Sequence, residues 1–253
     1  MALEEMLLQV EGLDKSFGGL AVTRDVSFGI GKRELICIIG PNGAGKTTLF
    51  NLLTGHLHAD RGKVIFKGKD FVKEKLAPHD ICRRGIGRSF QRVNIFSRLS
   101  LLENVQLALL CGRGKSLNFF SPMRTMVRDE TMEILSDVGL ADQSANLSGE
   151  LAHGDQKRLE VAMAIANEPE LLLLDEPTAG MSPEETTGTM EFIAGLFERK
   201  QMSIIVIEHD MDVVFGIAKR IIVLHQGEVI ADGMPDDIKR DELVQHVYFG
   251  ETT

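Results

Sequence analysis

The chain lacks any apolar run long enough to cross a membrane; its nearest approach, Val105-Gln106-Leu107-Ala108-Leu109-Leu110-Cys111, is short and amphipathic. The first residues, Met1-Ala2-Leu3-Glu4-Glu5, are acidic where a secretory leader is basic, so no signal peptide is expected. Cysteine is scarce. Cys37, Cys82 and Cys111 fit no metal-type or redox-type spacing, and an odd count gives no disulfide framework, which points to reduced thiols in cytosol. Positive charge is in deficit: a net charge of −9 argues against nonspecific attraction to nucleic acid. That charge leaves room for a local basic patch; Arg83, Arg84 and Arg88 make the densest cluster near a candidate site, with a solvated helix face as the default reading. Internal repeats and low-complexity tails are absent too. What remains is 253 residues, 43% hydrophobic and 26% charged, the composition of a soluble globular protein with material for a core.

The most informative segment is Gly40-Pro41-Asn42-Gly43-Ala44-Gly45-Lys46-Thr47, which fits GxxxxGK[ST] at every fixed position. The apolar, β-branched run Leu35–Ile39 precedes it, and Thr48-Leu49-Phe50-Asn51-Leu52-Leu53 can continue it as a helix. That strand–loop–helix order is the context in which the motif cradles phosphates. Glycines let the backbone curl around an anion, N–H groups point inward, and the helix start adds its positive dipole end. Lys46 can then reach the β- and γ-phosphates, and the Thr47 hydroxyl can ligate Mg²⁺.

The rest of the chain reads as an α/β protein. Leu7–Leu13, Leu20–Val22 and Asp25–Ile30 are strand-like, as are Gly62–Gly68 and Ile86–Gln91. Helical spacing takes over from Leu101 to about Leu140, broken by a loop at Gly112–Ser116 and Ser121-Pro122. A helix from Gly154 to Ala166 follows. Strands and helices then alternate: Leu171–Leu174, Pro183–Lys200, Ser203–Ile207, Met211–Ala218, Ile221–Leu224. Such alternation builds a parallel sheet covered on both faces. The expected architecture is therefore a P-loop core with an early antiparallel element and a helical insertion.

Ligands of open α/β sheets gather at the carboxyl ends of strands. Asp175 and Glu176 follow the leucine strand there, where Asp175 suits Mg²⁺ coordination, directly or through a bound water, and Glu176 suits general-base or water-positioning work against the γ-phosphate. His209, in Glu208-His209-Asp210 after Ser203–Ile207, is placed for a γ-phosphate contact.

In order and spacing these residues resemble the nucleotide-binding subunits of ABC transporters across nearly the whole chain. The resemblance implies a single cassette: residues 1–91 and 152–253 as the nucleotide-binding core, a RecA-like parallel sheet with antiparallel β elements, and 92–151 as a helical subdomain. It makes Phe17, in Ser16-Phe17-Gly18-Gly19, the aromatic that stacks on adenine. Gln91 takes the Q-loop position, touching Mg²⁺, the γ-phosphate and the membrane partner, and Asp175 and Glu176 are Walker B and its catalytic glutamate. Ala179-Gly180-Met181-Ser182 becomes the D-loop and His209 the switch histidine. Leu151-Ala152-His153-Gly154-Asp155, continued by Gln156-Lys157-Arg158-Leu159, resembles the LSGGQ signature. It departs from the family in having Ala152 where serine is usual, as Ser182 does where aspartate is usual. Leu147-Ser148-Gly149-Glu150 also begins like the signature but lacks its second glycine. Arg92–Phe96 lies where a permease coupling helix would dock, with ordinary core packing by Ile95 and Phe96 an equal alternative.

The implied mechanism is an ATP- and Mg²⁺-dependent head-to-tail pair of ATPase subunits, identical or paralogous, driving two transmembrane permeases from the cytoplasmic face of the inner membrane. An extracytoplasmic solute-binding protein would act indirectly, and nucleic acid has no part. Phe17–Leu20, Gly87–Gln91, Leu151–Gly154, Ala179–Pro183, Ile207–Met211 and Val247–Glu251 are most similar to the Liv-type subgroup, which serves branched-chain amino acids, urea and short amides. Two alternatives stay open: the ATPase of a lipopolysaccharide-type export machine, and a soluble non-transport ABC ATPase.

Overall fold

The computed structural model describes residues 6–89, 94–112 and 127–249, so Gln91 lies outside the described residues. The chain divides into two compact units, Met1–Ile81 together with Met202–Thr253, and Cys82–Gln201.

The first unit holds two sheets. In one, β1 (Met6–Phe17) and β2 (Leu20–Gly31) form an antiparallel hairpin in which Phe17 faces Leu20. The two residues between them, Gly18 and Gly19, have φ of 53° and 89°. Two successive left-handed residues make the turn whose twist matches the strands, and only glycine adopts them freely. The pairing slips between Val10 and Leu13, beside Gly12 at φ 56°, and this bulge is why the hydrophobic alternation of β1 is only partial. β4 (Arg61–Phe66) pairs with the other edge of β1, and β5 (Lys69–Asp70) lies beyond it.

The other sheet of this unit is built on β3 (Leu35–Ile39), whose five residues are all buried. Its flanks are β8 (Ser203–Ile207) and β9 (Arg220–His225), both parallel to it. β10 (Glu228–Gly233) closes the edge, antiparallel to β9. A strand covered on both faces needs apolar residues at every position, and Leu35, Ile36, Cys37, Ile38 and Ile39 supply them. Helix α1 (Lys46–Leu53) follows β3 and buries Leu49, Phe50, Leu52 and Leu53; two short helices, α2 (Phe71–Glu74) and α3 (Pro78–Arg83), come after β5 in the chain.

In the second unit, β6 (Ile86–Arg88) runs parallel to β7 (Leu171–Asp175), with Arg88 opposite Leu173. The main helices are α4 (Leu101–Gly112), α5 (Arg128–Asp137), α6 (His153–Ile165) and α7 (Pro183–Arg199). Fully buried Asn104 organises the approach to α4. Its Oδ1 accepts from Phe96 N–H at 2.8 Å, and its Nδ2 donates to Ser100 C=O at 2.9 Å and Ser148 Oγ at 3.2 Å. Ser148 in turn donates to Phe96 C=O at 3.0 Å. The signature-like Leu147–Glu150 segment is thus a packed turn, its serine consumed by the fold. Phe96 itself is 54% exposed, so core packing does not account for that side chain. Among the described residues no helix is long and apolar enough to cross a membrane.

Candidate nucleotide-binding site

The loop between β3 and α1 is shaped by close backbone approaches. A Cβ on Gly40 would come within 2.1 Å of Leu224 C=O, and one on Gly45 within 2.6 Å of Val22 C=O. Gly45 also has φ 100° as it opens α1, a conformation that side chains resist. The loop is tied down from behind, since Gly227 N–H donates to Ala44 C=O at 3.0 Å and Arg24 N–H donates to Gly227 C=O at 2.8 Å. Asn42 and Gly43 stand exposed at its tip. The Lys46 ammonium arches back over the loop and donates to Gly40 C=O at 2.7 Å and Pro41 C=O at 3.1 Å. Thr47 is exposed and Thr48 half-buried in the first turn of α1, and no side chain caps that helix. A curled backbone, a folded-in lysine and an uncapped helix start make an anion cradle.

Register places a second group beside this loop. β8 is parallel to β3 with Ile207 opposite Ile38, so both strands end at one edge. The first emits the phosphate loop from there; the second emits Glu208, His209 and Asp210. His209 is exposed, whereas Glu208 is buried at 2% and its carboxylate accepts from His209 N–H at 3.3 Å. Burial, followed by the negative field of Glu208, pushes the Cys37 thiol on β3 up to about 12, which keeps it protonated. Phe17 sits 44% exposed at the end of β1, its ring centroid 5.5 Å from the Lys15 ammonium, which also donates to Asp60 at 2.7 Å.

The second unit carries the acids. Asp175 ends β7 with a side chain 1% exposed, and its Oδ2 receives a hydrogen bond from Arg88 Nη2 at 3.1 Å. Burial pushes this carboxyl up while the guanidinium opposes the shift, and burial likewise lowers Arg88. The other oxygen, Oδ1, is buried and finds no hydrogen-bond partner among the described residues. An unsatisfied buried carboxylate oxygen fits a hard cation, so the site suits Mg²⁺. Glu176 follows, half-buried, with φ 50°. A non-glycine residue held left-handed immediately after a strand is strain of the kind that accumulates where geometry serves chemistry.

Arg88 corrects the sequence reading. It belongs to a strand rather than a helix face, and its side chain is only 6% exposed. The signal was available: a cation at a strand position in Ile86-Gly87-Arg88-Ser89 needs a buried counter-ion.

The signature-like segment opens α6. Leu151 is buried, Ala152 is the exposed N-cap residue without a side-chain cap bond, and His153 is exposed. Asp155 in the first turn accepts from Gln143 Nε2 at 3.4 Å. A Cβ on Gly154 would meet nothing within 4 Å. The fold does not require that glycine, although alanine would favour the helix by roughly 1 kcal/mol. Ser182, the aspartate substitute, is the N-cap of α7: it accepts from Glu185 N–H at 3.3 Å, and the Glu185 carboxylate accepts from Ser182 N–H at 2.9 Å.

Comparison with known proteins bears on the family and the fold. The family described as ABC transporter matches residues 23–179. The high-affinity branched-chain amino acid transport ATP-binding protein LivG of Salmonella typhimurium is 38% identical over 98% of this chain and 100% of its own. The ADP conformation of the cassette MJ1267 superposes with a TM-score of 0.85 at 29% identity, covering 97% of this chain and 99% of that one. A dimeric post-hydrolysis cassette, MJ0796 with ADP and Pi, gives 0.76 at 25% identity, covering 90% and 98%.

Proposed function

The chain belongs to the ABC transporter family, is an ATPase of the cassette fold, and we propose that it powers an importer of branched-chain amino acids. Full-length similarity to LivG is the observation that carries the cargo assignment. The nucleotide chemistry rests on the phosphate loop.

In this reading adenine stacks on Phe17, and backbone N–H groups from Gly40 to Thr48 with the Lys46 ammonium hold the β- and γ-phosphates. On nucleotide binding Lys46 exchanges its bonds to Gly40 and Pro41 for phosphate oxygens. Thr47, Asp175 and Gln91 are the residues that would hold Mg²⁺, which supplies charge neutralisation on the triphosphate. Glu176 takes a proton from a water as its oxygen attacks the γ-phosphorus. The bond from that phosphorus to the ADP oxygen breaks, and His209 steadies the γ-phosphate. A second ATPase subunit, identical or paralogous, contributes Leu151–Asp155, where backbone N–H groups at the start of α6 replace the missing serine hydroxyl. Gly154, open on its outer side, leaves room for the phosphate. Exposed Phe96 faces the permease pair at the cytoplasmic side of the membrane, with a solute-binding protein beyond it.

The test is reconstitution with the permeases and binding protein in liposomes. Leucine-, isoleucine- or valine-loaded binding protein should raise ATPase activity several-fold over the unloaded form. Equal rates with loaded and unloaded binding protein would remove the importer assignment; a lipopolysaccharide-stimulated rate would replace it with the export reading.

A further inference from the structure

Arg88 is a strand cation whose side chain is buried against Asp175, and nothing in the nucleotide chemistry above uses it. We propose that Arg88 is a positioning residue: its guanidinium clamps Oδ2 of Asp175 so that Oδ1 alone is presented to the nucleotide-bound metal. This inference rests on the reading of Asp175 as a metal ligand.

Three observations carry it. The ion pair is closed off from water, at 6% and 1% side-chain exposure, with Nη2 3.1 Å from Oδ2. In that environment the Coulomb attraction is weakly screened, and rotating the carboxylate would break its bond to the guanidinium. The two carboxylate oxygens are also unlike: Oδ2 is engaged and Oδ1 is buried without a hydrogen-bond partner among the described residues. A carboxylate serving only as a structural counter-ion gains by satisfying both oxygens; one that leaves a buried oxygen bare is shaped for a third party.

Finally, the base of the clamp is immobilised. Ser89 N–H donates to Leu173 C=O at 2.9 Å, extending the β6–β7 ladder past Arg88. A Cβ at Gly87 would lie 2.8 Å from Ala164 C=O and 3.0 Å from the Pro169 ring, so the strand is seated closely against the last turn of α6 and the proline after it. Arg88 therefore reaches Asp175 from a fixed point, three residues before Gln91. Partners that orient a metal's ligands commonly change metal affinity about 10- to 100-fold when removed.

The experiment is a double-mutant cycle read by metal affinity rather than turnover. Mn²⁺ binding to the full chain saturated with a non-hydrolysable ATP analogue is measured by electron paramagnetic resonance for the unsubstituted chain, Arg88→Met, Asp175→Asn and the double variant. Arg88→Met should weaken Mn²⁺ about tenfold with the analogue's metal-free affinity unchanged. Arg88→Lys, which keeps the charge, should recover most of that loss. On the Asp175→Asn background, Arg88→Met should have no further effect.

A loss that persists undiminished on the Asn background would overturn the clamp, as would unchanged affinity in Arg88→Met when Asp175→Asn weakens binding. Unchanged affinity in Asp175→Asn would overturn both the clamp and the metal assignment beneath it. Should Arg88→Met fold poorly, Arg88→Lys decides: Mn²⁺ affinity as weak as in Asp175→Asn would overturn the proposal.

Discussion

The phosphate-loop unit and the unit bearing Asp175 meet their functional demands with different materials. The first uses backbone. Gly40, Gly45 and Gly227 permit approaches that a single methyl would block, and the anion cradle consists of N–H groups with one lysine folded over them. The second uses side chains: a buried Arg88–Asp175 pair, a glutamate on strained backbone, and the Ser182 capping box. Backbone sites fail abruptly when touched, because no neighbouring rotamer can compensate. Side-chain sites degrade by steps, each contact carrying its own share.

The largest test of that contrast is Lys46→Ala. It should weaken ATP binding at least about a hundredfold by calorimetry, as a buried charge-assisted contact to triphosphate is lost. Retained affinity would mean that the N–H groups alone suffice. Next is Glu176→Gln, which keeps shape and removes the base. Hydrolysis should fall about 10²- to 10⁴-fold with ATP affinity preserved, and an ATP-bound dimer should accumulate on a sizing column. Near-normal turnover would transfer the base to another group.

Ser182→Ala sharpens the comparison further. Loss of the cap should lower stability by about 0.5–2 kcal/mol in a denaturant titration. A matching stability accompanied by a large drop in ATPase would instead give that hydroxyl a direct role at the site. The smallest effect is chemical. At pH 8 an alkylating reagent should modify exposed Cys111 and spare Cys37, whose thiol is buried and pushed up to about 12. Fast labelling of Cys37 would show that β3, and the loop it carries, opens readily.

The same contrast explains what could be read in advance. Glycines at fixed offsets, followed by lysine and threonine, announce the phosphate loop because the backbone geometry admits few other residues. Strands β3, β7 and β8 are announced by apolar runs, since burial on both faces forbids anything else. β10 is not: it pairs only with β9, and its residues are half-buried or exposed, so neither alternation nor an apolar run marks Glu228–Gly233. The helices after it, Pro235–Arg240 and Glu242–Phe249, are six and eight residues long, too short for a helical period to stand out. Arg88 was half-legible: its strand position could be read, its counter-ion could not. A charge in sequence reads as solvent-facing unless its counter-ion is known, and Asp175 lies 87 positions away. Ser148 imitates a phosphate-binding serine while serving Asn104, and the missing second glycine already set its segment apart.

The hydrogen bond from Gly227 to Ala44 has a consequence for the order of events during synthesis. Residues 40–47 leave the ribosome before the β9–β10 hairpin that supports them, which is the last strand pair among the described residues. A nascent chain therefore carries the complete triphosphate motif long before it possesses the floor on which that motif rests. Full support for the loop waits until Gly227 has been made, well after residues 40–47.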